Sequence, residues 1–398
     1  MKKFLLASAA TALMSGAAFA DGHGPVKIGI ILGFTGPIES LTPSMGAGAE
    51  LAITEVSESG NFLGGKTVEA VRADSTCIDS AAATAAAERL ITSEGVSGIV
   101  GADCSGVTGA ILSNVALANG MVMISPSATS PALSHANNED NGLFFRTAPS
   151  DARQGVVMTE VLMDRGIKEV ALTYTNNDYG KGLADAFQAA FEAAGGSITI
   201  SAAHEDGKAD YSAEVGALAA AGGERLVVAG YVDQGGSGII RAALDSGAFD
   251  TFHFPDGMIS AALTENFGSE IDGSTGQHPS PSEELAAAYA ELVDGAFDST
   301  SPFTPESYDA AALMLLAMQA AGSSDPADYK DKVMMVANAP GEPIAVGELG
   351  KALEILANGG DVDLIGATGV ELIGPGEAAG NYRELEIEGG AEKTVQFR

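Results

Sequence analysis

Positive charge is scarce in this chain. Only 20 of its 398 residues are Lys or Arg, against 53 Asp or Glu, and the formal net charge is -33 at pH 7. A surface this acidic repels phosphate backbones and anionic lipid headgroups, which argues against a nucleic acid or a membrane surface as partner. Because net charge reports on solubility and not on fold, the acidity indicates a heavily solvated surface and identifies no ligand.

Catalytic and metal-binding motifs are also lacking. The chain has two cysteines and five histidines, and it contains no G-x-S-x-G, no H-E-x-x-H and no clustered Cys and His ligands. Cys104 is followed directly by Ser105, a pair that suggests a nucleophile, but no histidine stands in a recognisable motif with them. We therefore predict no metal, no cofactor and no enzymatic activity.

One string, "GNFLGGKT" at residues 60–67, does fit the phosphate-binding pattern G-x-x-x-x-G-K-[ST]. A phosphate loop needs a strand before it and a helix after it, so that the helix N-terminus meets the phosphates. Here a predicted helix precedes the string and the predicted strand "TVEAVRA" follows it. We interpret the string as a solvated turn from helix to strand.

Long apolar runs are absent after the N-terminus. Residues 1–20 combine a basic start, an apolar centre and the small-x-small sequence "AFA" ending at Ala20, which is typical of a secretory signal peptide. No later segment offers the ~18 apolar residues of a membrane span, and no cysteine at the cleavage site could carry a lipid. We expect a mature protein in the periplasm, where two cysteines are expected to pair with each other.

What the chain does contain is a regular alternation of apolar strands and helices, which favours an α/β fold with two doubly wound parallel-sheet lobes. A helix around residues 46–56 follows the first strand, and "YDAAALMLLAMQAA" is apolar nearly all round and so predicts a buried helix. The C-terminal "NYRELEIEGGAEKTVQFR" alternates like an antiparallel hairpin. The predicted strands include "VKIGIIL", "TVEAVRA", "GIVG", "MVMIS", "EVALTYT", "SITISAA" and "RLVVAG".

Hydroxyl-bearing residues follow two neighbouring strands. Ser105 comes after "GIVG", where a helix should begin, and "SPSATS" at residues 125–130 follows "MVMIS". The carboxyl ends of parallel strands meet at one edge of a sheet, where amides of a helix start and hydroxyls can bind a small carboxylate. For each serine alone, an ordinary helix cap is the alternative.

Several strings along the chain together resemble the periplasmic leucine/isoleucine/valine-binding proteins, the type I substrate-binding proteins of branched-chain amino acid ABC transporters. No one of them is specific alone, but jointly they cover nearly the whole mature chain. They are "VKIGIILGFTGP", "GAGAELAITEV", "DSTCIDS", "GIVGADCSGVTGAI", "MVMISPSATSPALS", "FFRTAPSD", "NDYGKGLADAF", "FPDGM" and "PESYDAAALM".

The resemblance implies two lobes joined by a three-strand hinge, and a disulfide between Cys77 and Cys104. An N-terminal lobe of residues 21–147 plus 277–374 and a C-terminal lobe of residues 148–276 plus 375–398 are expected. The crossings would fall near residues 145–148, 273–279 and 374–382. The expected partners are a small amino acid, aliphatic or branched, and an ABC permease in the inner membrane, with the binding protein itself a monomer.

The resemblance also implies the ligand contacts. The amino acid carboxylate would bind Ser105 and Thr129, and the α-ammonium would bind the Ser127 carbonyl, the Thr129 hydroxyl and an acid of the second lobe that matches Asp256. Tyr179 and Tyr231 match the aromatic side chains with which the second lobe covers the ligand. Further contacts come from Gly106 at the helix start, Ala128 in the second loop and Leu41 in the pocket wall.

Two departures from the family pattern alter the pocket wall. Leu41 stands where the leucine binder has a tyrosine, and Asp256 replaces a longer glutamate. The function predicted is capture of an amino acid by hinge closure and its delivery to the permease. A sensory or regulatory protein of the same fold, which binds an amide or another small amino acid derivative, remains the alternative. A periplasmic enzyme would need a base near Ser105 that the sequence does not supply.

Overall fold

The computed structural model describes residues 24–134 and 140–398. The predicted signal peptide, residues 1–20, lies outside the described residues. Within them, no helix is both long enough and apolar enough to cross a membrane.

The first sheet contains the strand series predicted from the N-terminal part of the chain. Its seven strands are mostly parallel and run in the order β13-β14-β5-β4-β3-β1-β2, with β13 and β14 antiparallel. Strand β1 lies between β2 and β3 and is apolar and almost entirely buried. The strands are β1 (Val26–Leu32), β2 (Val68–Asp74), β3 (Gly98–Gly101), β4 (Met123–Ser125), β5 (Phe144–Arg146), β13 (Leu372–Ile373) and β14 (Glu377–Ala378).

The second sheet also has seven strands, in the order β16-β15-β10-β9-β8-β6-β7. The C-terminal hairpin β15-β16 is antiparallel, as its alternating sequence predicts, and β15 pairs antiparallel with β10. The strands are β6 (Glu169–Thr175), β7 (Ser197–His204), β8 (Arg225–Ala229), β9 (Phe252–Phe254), β10 (Thr275–Pro279), β15 (Tyr382–Glu388) and β16 (Ala391–Phe397). The two-lobed α/β class is thus confirmed. A small parallel pair, β11 (Glu342–Ala345) and β12 (Val362–Gly366), lies apart from both sheets.

Helices connect the strands and cover the sheets. A π-type turn, residues 112–116, links α3 to α4, so that one helical rod runs from Ser105 to Asn119. The helices are α1 (Thr42–Ser59), α2 (Ser80–Arg89), α3 (Ser105–Ile111), α4 (Leu117–Asn119), α5 (Asp151–Asp164), α6 (Asp178–Ala193), α7 (Ser212–Ala221), α8 (Gly235–Ser246), α9 (Ala261–Phe267), α10 (Glu283–Val293), α11 (Thr304–Ala321), α12 (Pro326–Tyr329), α13 (Val333–Val336) and α14 (Leu349–Ala357).

Helix α11 forms the centre of the first lobe. Its side chains from Thr304 to Gln319 are all buried, in agreement with its nearly uniform apolar sequence. It packs along α1, and the approach is so close that a Cβ atom on Gly48 would lie 2.5 Å from the Thr304 carbonyl oxygen. Glycine is therefore required at this contact between the two helices.

The chain passes between the sheets three times. It leaves the first sheet after β5, returns after β10, which ends at Pro279, and leaves again after β14, which ends at Ala378. Strand membership therefore gives β10 to the second sheet and β14 to the first. The lobe boundaries at residues 147, 276 and 374 remain a prediction.

The two cysteines form a disulfide bond. Cys77 lies between β2 and α2, Cys104 precedes α3, and their Cα atoms are 5.1 Å apart. The bond fastens the loop after β2 to the start of α3, next to Ser105. The string "GNFLGGKT" lies between α1 and β2, which is the helix-to-strand order that argues against a phosphate loop.

Candidate functional site

The two serine-containing loops meet at the carboxyl edge of the first sheet. The Ser105 hydroxyl oxygen accepts a hydrogen bond from the Ser130 amide at 3.1 Å, and the Ser127 hydroxyl donates to the Asp103 carbonyl at 3.1 Å. Cys104, not Ser105, occupies the cap position of α3, and no side chain caps this helix. Because its oxygen already accepts a bond, the Ser105 hydroxyl can use its own proton to bind a ligand.

Arg146 holds the second loop in place. This side chain is only 1% exposed, and its Nη1 donates to the carbonyls of Ala128 at 3.0 Å and Ser130 at 2.9 Å. Its Nη2 pairs with Glu377 at 2.6 Å, so its positive charge is neutralised on the side away from the cleft. The loop backbone around Thr129 is thereby fixed without a cation entering the site.

The second lobe contributes Asp256 and two stacked tyrosines. Asp256 Oδ1 accepts from the Tyr179 hydroxyl at 2.6 Å and from the Gly257 amide at 2.8 Å. The rings of Tyr179 and Tyr231 stack with centroids 5.1 Å apart. Burial raises the pKa of Tyr179 well above its usual value, so the phenol stays protonated and remains the donor to Asp256.

A small cavity, about 20 Å³ in volume, lies between these groups. Six of the predicted ligand-binding residues line it, whereas Gly106, Ala128 and Thr129 do not. Gly106 lines a neighbouring opening of the cleft, and the Ala128 carbonyl is bonded to Arg146. The cavity is lined by Ile38, Leu41, Asp103, Cys104, Ser105, Ser127, Tyr179, Tyr231, Asp256, Gly257 and Phe303.

Sequence reasoning missed four lining residues and assigned Cys104 only to the disulfide. Ile38 and Phe303 add apolar side chains to that of Leu41, and Asp103 and Gly257 are the other two. The Asp103 carboxylate accepts from the Gly33 amide at 2.6 Å and the Ser75 hydroxyl at 2.8 Å, so it supports the loops. Phe303 had no signal beyond its place before a predicted helix, since nothing in the local sequence links it to residue 41.

A second acid, Asp151 at the start of α5, was also missed. Both of its carboxylate oxygens are buried and lack a hydrogen bond of normal geometry within the described residues, as do Asp256 Oδ2 and Thr129 Oγ1. Gln154 and Tyr382 lie beside them and carry further unpartnered polar atoms. This buried polar cluster lies just behind the Asp256 wall of the cavity.

Burial and mutual repulsion govern the charge of the two acids. Burial and the negative charge of Asp256 raise the pKa of Asp151 well above its usual value, which a hydrogen bond from Thr129 and the charge of Arg146 only partly offset. Burial also raises the pKa of Asp256, against hydrogen bonds from Tyr179, Gln154 and Gly257. An added positive charge beside the pair would lower both pKa values and stabilise their ionised forms.

The lining of the cavity therefore favours a ligand with a cationic group. Among the described residues that line it there are two aspartates and no Lys, Arg or His. The described residues also contain no group of three or more side chains that could hold a metal ion. The arrangement can bind an ammonium group at Asp256 and an apolar group at Leu41. At Ser105 it can bind a group that accepts a hydrogen bond from the serine hydroxyl.

The two lobes touch each other at the rim of the cleft. The Ser40 amide donates to Asp233 Oδ2 at 2.8 Å, and the Asp233 amide donates to the Pro37 carbonyl at 3.1 Å. Ser40 also contacts Ser260 through their hydroxyls at 3.3 Å. Because these bonds join opposite lobes, the structure is a closed form.

Comparison with known proteins agrees with this architecture. The family model "Periplasmic binding protein" matches residues 25–338. A protein from Brucella melitensis named Leu/Ile/Val-binding protein homolog 3 is 30% identical over 332 residues, which cover 80% of this chain and 84% of that protein. The chain belongs to the Leu/Ile/Val-binding family of periplasmic binding proteins. The family and these relatives are substrate-binding proteins.

Solved structures extend the likeness to nearly the whole Leu/Ile/Val-binding chain. The leucine-binding protein LivK from Thermotoga maritima superposes with a TM-score of 0.76 at 22% identity, covering 94% of this chain and 98% of that one. A solute-binding protein from R. palustris in complex with benzoate gives a TM-score of 0.75 at 19% identity, covering 94% and 96%. At these identities the likeness shows the fold alone.

Proposed function

We propose that this protein captures a small α-amino acid with an aliphatic side chain in the cleft between its lobes. The observation that carries the proposal is the lining of the cavity, which combines acidic side chains and no cation, among the described residues, with apolar side chains. Asp256 supplies an acid, and Ile38, Leu41 and Phe303 supply apolar groups. A zwitterion with an apolar side chain matches this lining better than a simple anion or a neutral amide.

Each end of the ligand has a partner of matching chemistry. The ammonium group binds the free Oδ2 of Asp256 and gives the buried acid Asp151 a counter-charge. The Thr129 hydroxyl and the Ser127 carbonyl add acceptors on the first lobe. The carboxylate accepts the Ser105 proton and the amides at the start of α3, beside the disulfide that fixes this position.

The same charges disfavour benzoate. Benzoate offers a carboxylate and an apolar ring but no ammonium group, so it would give Asp256 and Asp151 no counter-charge. Leaving a buried carboxylate unpaired costs several kcal/mol per ion in general. We therefore assign the ligand to the amino acids and not to the aromatic acids.

Capture requires closure but no covalent chemistry. Ser105 and the second loop belong to the first sheet, whereas Asp256 and the two stacked tyrosines belong to the second. A ligand that contacts both lobes stabilises the closed form by the contacts that only closure provides. The protein is thus a binding protein and not an enzyme.

We also propose that the protein is a monomer in the periplasm. It would deliver its ligand to an ABC permease in the inner membrane. The family of the chain and its signal-peptide-like N-terminus support this proposal. The sensory alternative uses the same pocket and differs only in the membrane protein that receives the closed form.

The test uses ligands that each lack one part of leucine. Isothermal titration calorimetry on the mature protein would compare leucine with isocaproate, which lacks the ammonium group, isoamylamine, which lacks the carboxylate, and benzoate. We expect tight binding of leucine or a close aliphatic relative alone. Tighter binding of isocaproate or benzoate than of every amino acid tested would refute the proposal.

A substitution at Ser105 tests the carboxylate end. Ser105→Ala removes a hydrogen bond to a charged group, which contributes about 1.5–3 kcal/mol, so leucine affinity should fall roughly 10- to 150-fold. Weak binding of isoamylamine should not change, because this ligand has no carboxylate. An equal loss for both ligands would mean that Ser105 acts only through packing.

A further inference from the structure

Phe303 lies at the boundary between two cavities. It lines the central ligand cavity together with Ile38 and Leu41, and it also lines a second hollow behind the hinge. Its side chain is only 5% exposed. Among the described residues that line the two cavities, Phe303 is the one that they share.

The backbone of Phe303 is unusual. Its φ angle is 63°, in the left-handed region, which a bulky residue seldom adopts and which costs of order 1–3 kcal/mol. The residue directly precedes α11, and its carbonyl accepts bonds from the amide and hydroxyl of Ser307. Nothing in a helix start requires phenylalanine in this conformation, so the strain points to a function of the side chain.

The hinge cavity, as we call this second hollow, has a volume of about 180 Å³ and is larger than the central cavity. It lies between α10, the segment before α11, the end of β10 and the C-terminal hairpin, and much of its lining is apolar. Its apolar lining residues are Pro279, Pro281, Ala286, Pro302, Phe303, Pro305 and Phe397.

Glu306 is one of the buried polar residues of the hinge cavity, together with His278 and Tyr289. The Glu306 side chain lines the cavity, is 2% exposed, and has an Oε2 atom without a hydrogen-bond partner in the described residues. Burial raises its pKa to about 8, so the carboxyl is mostly uncharged at neutral pH. The hinge cavity can therefore accept an apolar chain without burying it against a full charge at Glu306.

We propose that Phe303 sets the length limit of the ligand side chain by closing the hinge cavity off from the ligand site. The class of ligand that the hinge cavity would take is an α-amino acid with a long unbranched apolar side chain, whose head group stays between Ser105 and Asp256. This inference rests on the proposed function. It adds a residue that decides which amino acids fit.

The test measures affinity against side-chain length. Calorimetry on the mature protein would use straight-chain α-amino acids, from norvaline and norleucine to α-aminooctanoate and α-aminodecanoate. Each methylene buried should tighten the dissociation constant about fourfold until the central cavity is full, after which affinity should fall. Phe303→Gly removes the partition and suits a left-handed φ, so its optimum should move to longer members of the series.

Ile38→Ala is the matched control. This substitution enlarges the central cavity at a residue that does not line the hinge cavity. The side-chain length that binds best should therefore increase by no more than the few methylenes removed. A shift in Phe303→Gly no larger than in Ile38→Ala would overturn the proposal. If Phe303→Gly does not fold, Phe303→Leu provides the same comparison with a smaller expected shift.

Filling the hinge cavity supplies the reverse test. Adding Ala286→Phe to Phe303→Gly places a ring in the hinge cavity and should return the optimum to shorter side chains. An unchanged optimum would refute the assignment of the tail to this cavity. Failure of the native protein to bind any amino acid would refute the proposed function instead, and the two failures are thereby distinguishable.

Discussion

Asp256→Asn tests the ammonium site most directly. Asp256 is 1% exposed, and its Oδ1 accepts hydrogen bonds from the Tyr179 hydroxyl and the Gly257 amide. An asparagine side-chain oxygen can accept the same two bonds. The new amide would face Asp151 and Gln154, whose acceptors lack partners. The substitution therefore preserves the fold and removes one buried negative charge.

The magnitude follows from the lost charge. Replacing a hydrogen bond between two charged groups by one with a neutral partner loses about 1.5–3 kcal/mol, which is a roughly 10- to 150-fold weaker dissociation constant for leucine. Stability without ligand should be equal or higher, because a poorly compensated buried carboxylate is gone. Calorimetry with leucine and thermal unfolding without ligand measure the two effects.

Asp178→Asn is the matched control for this prediction. Asp178 is exposed and lines the neighbouring opening of the cleft but not the central cavity, so the same change of charge should alter leucine affinity less than threefold at ordinary salt. Leucine affinity within twofold of the native value in Asp256→Asn would refute the ammonium assignment. A comparable loss in both variants would instead indicate a long-range effect of net charge.

Three further predictions concern the disulfide, the hinge and closure. Replacing Cys77 and Cys104 by serine opens a link across 27 positions and should lower the free energy of unfolding by about 3.5 kcal/mol in urea titrations, whereas an unchanged value would contradict the entropic account. Glu306 keeps its proton up to about pH 8 when folded and loses it near pH 4.5 when unfolded, so native stability should fall as pH rises through this window, by up to about 1.4 kcal/mol per pH unit. Glu306→Gln should remove that part of the decline, and parallel pH curves for the two proteins would speak against it. Asp233→Ala removes a bond between the lobes and should weaken all ligands alike by about fivefold, with a more open form in small-angle scattering; a loss confined to one ligand would contradict this role.

Much of the fold could be predicted from the sequence because buried parallel strands are short continuous apolar runs. "VKIGIIL" and "GIVG" correspond to β1 and β3, and the uniform apolar stretch from residue 308 lies in the buried α11. Helix ends were harder to predict. The helix expected over residues 46–56 runs from Thr42 to Ser59, because Pro43 fits a first helical turn and Gly60 adopts the left-handed conformation that ends it.

The site was predictable only where loops carry local signals. Ser105 and Ser127 follow adjacent strands, so their meeting could be inferred from the order of the sheet. Asp151 and Phe303 come from α5 and from the segment before α11, and only the packed structure brings them to Asp256 and Leu41. No local spacing encodes such contacts, because they depend on how distant segments pack within each lobe.

The three crossings between the sheets also constrain the order in which the chain can fold as it is synthesised. Strands β1 to β5 are complete at Arg146, but their covering helix α11 begins only at Thr304. One edge strand of each sheet, β13 in the first and β16 in the second, comes later still, within residues 372–397. A nascent chain therefore cannot finish either lobe until nearly all of it has been made.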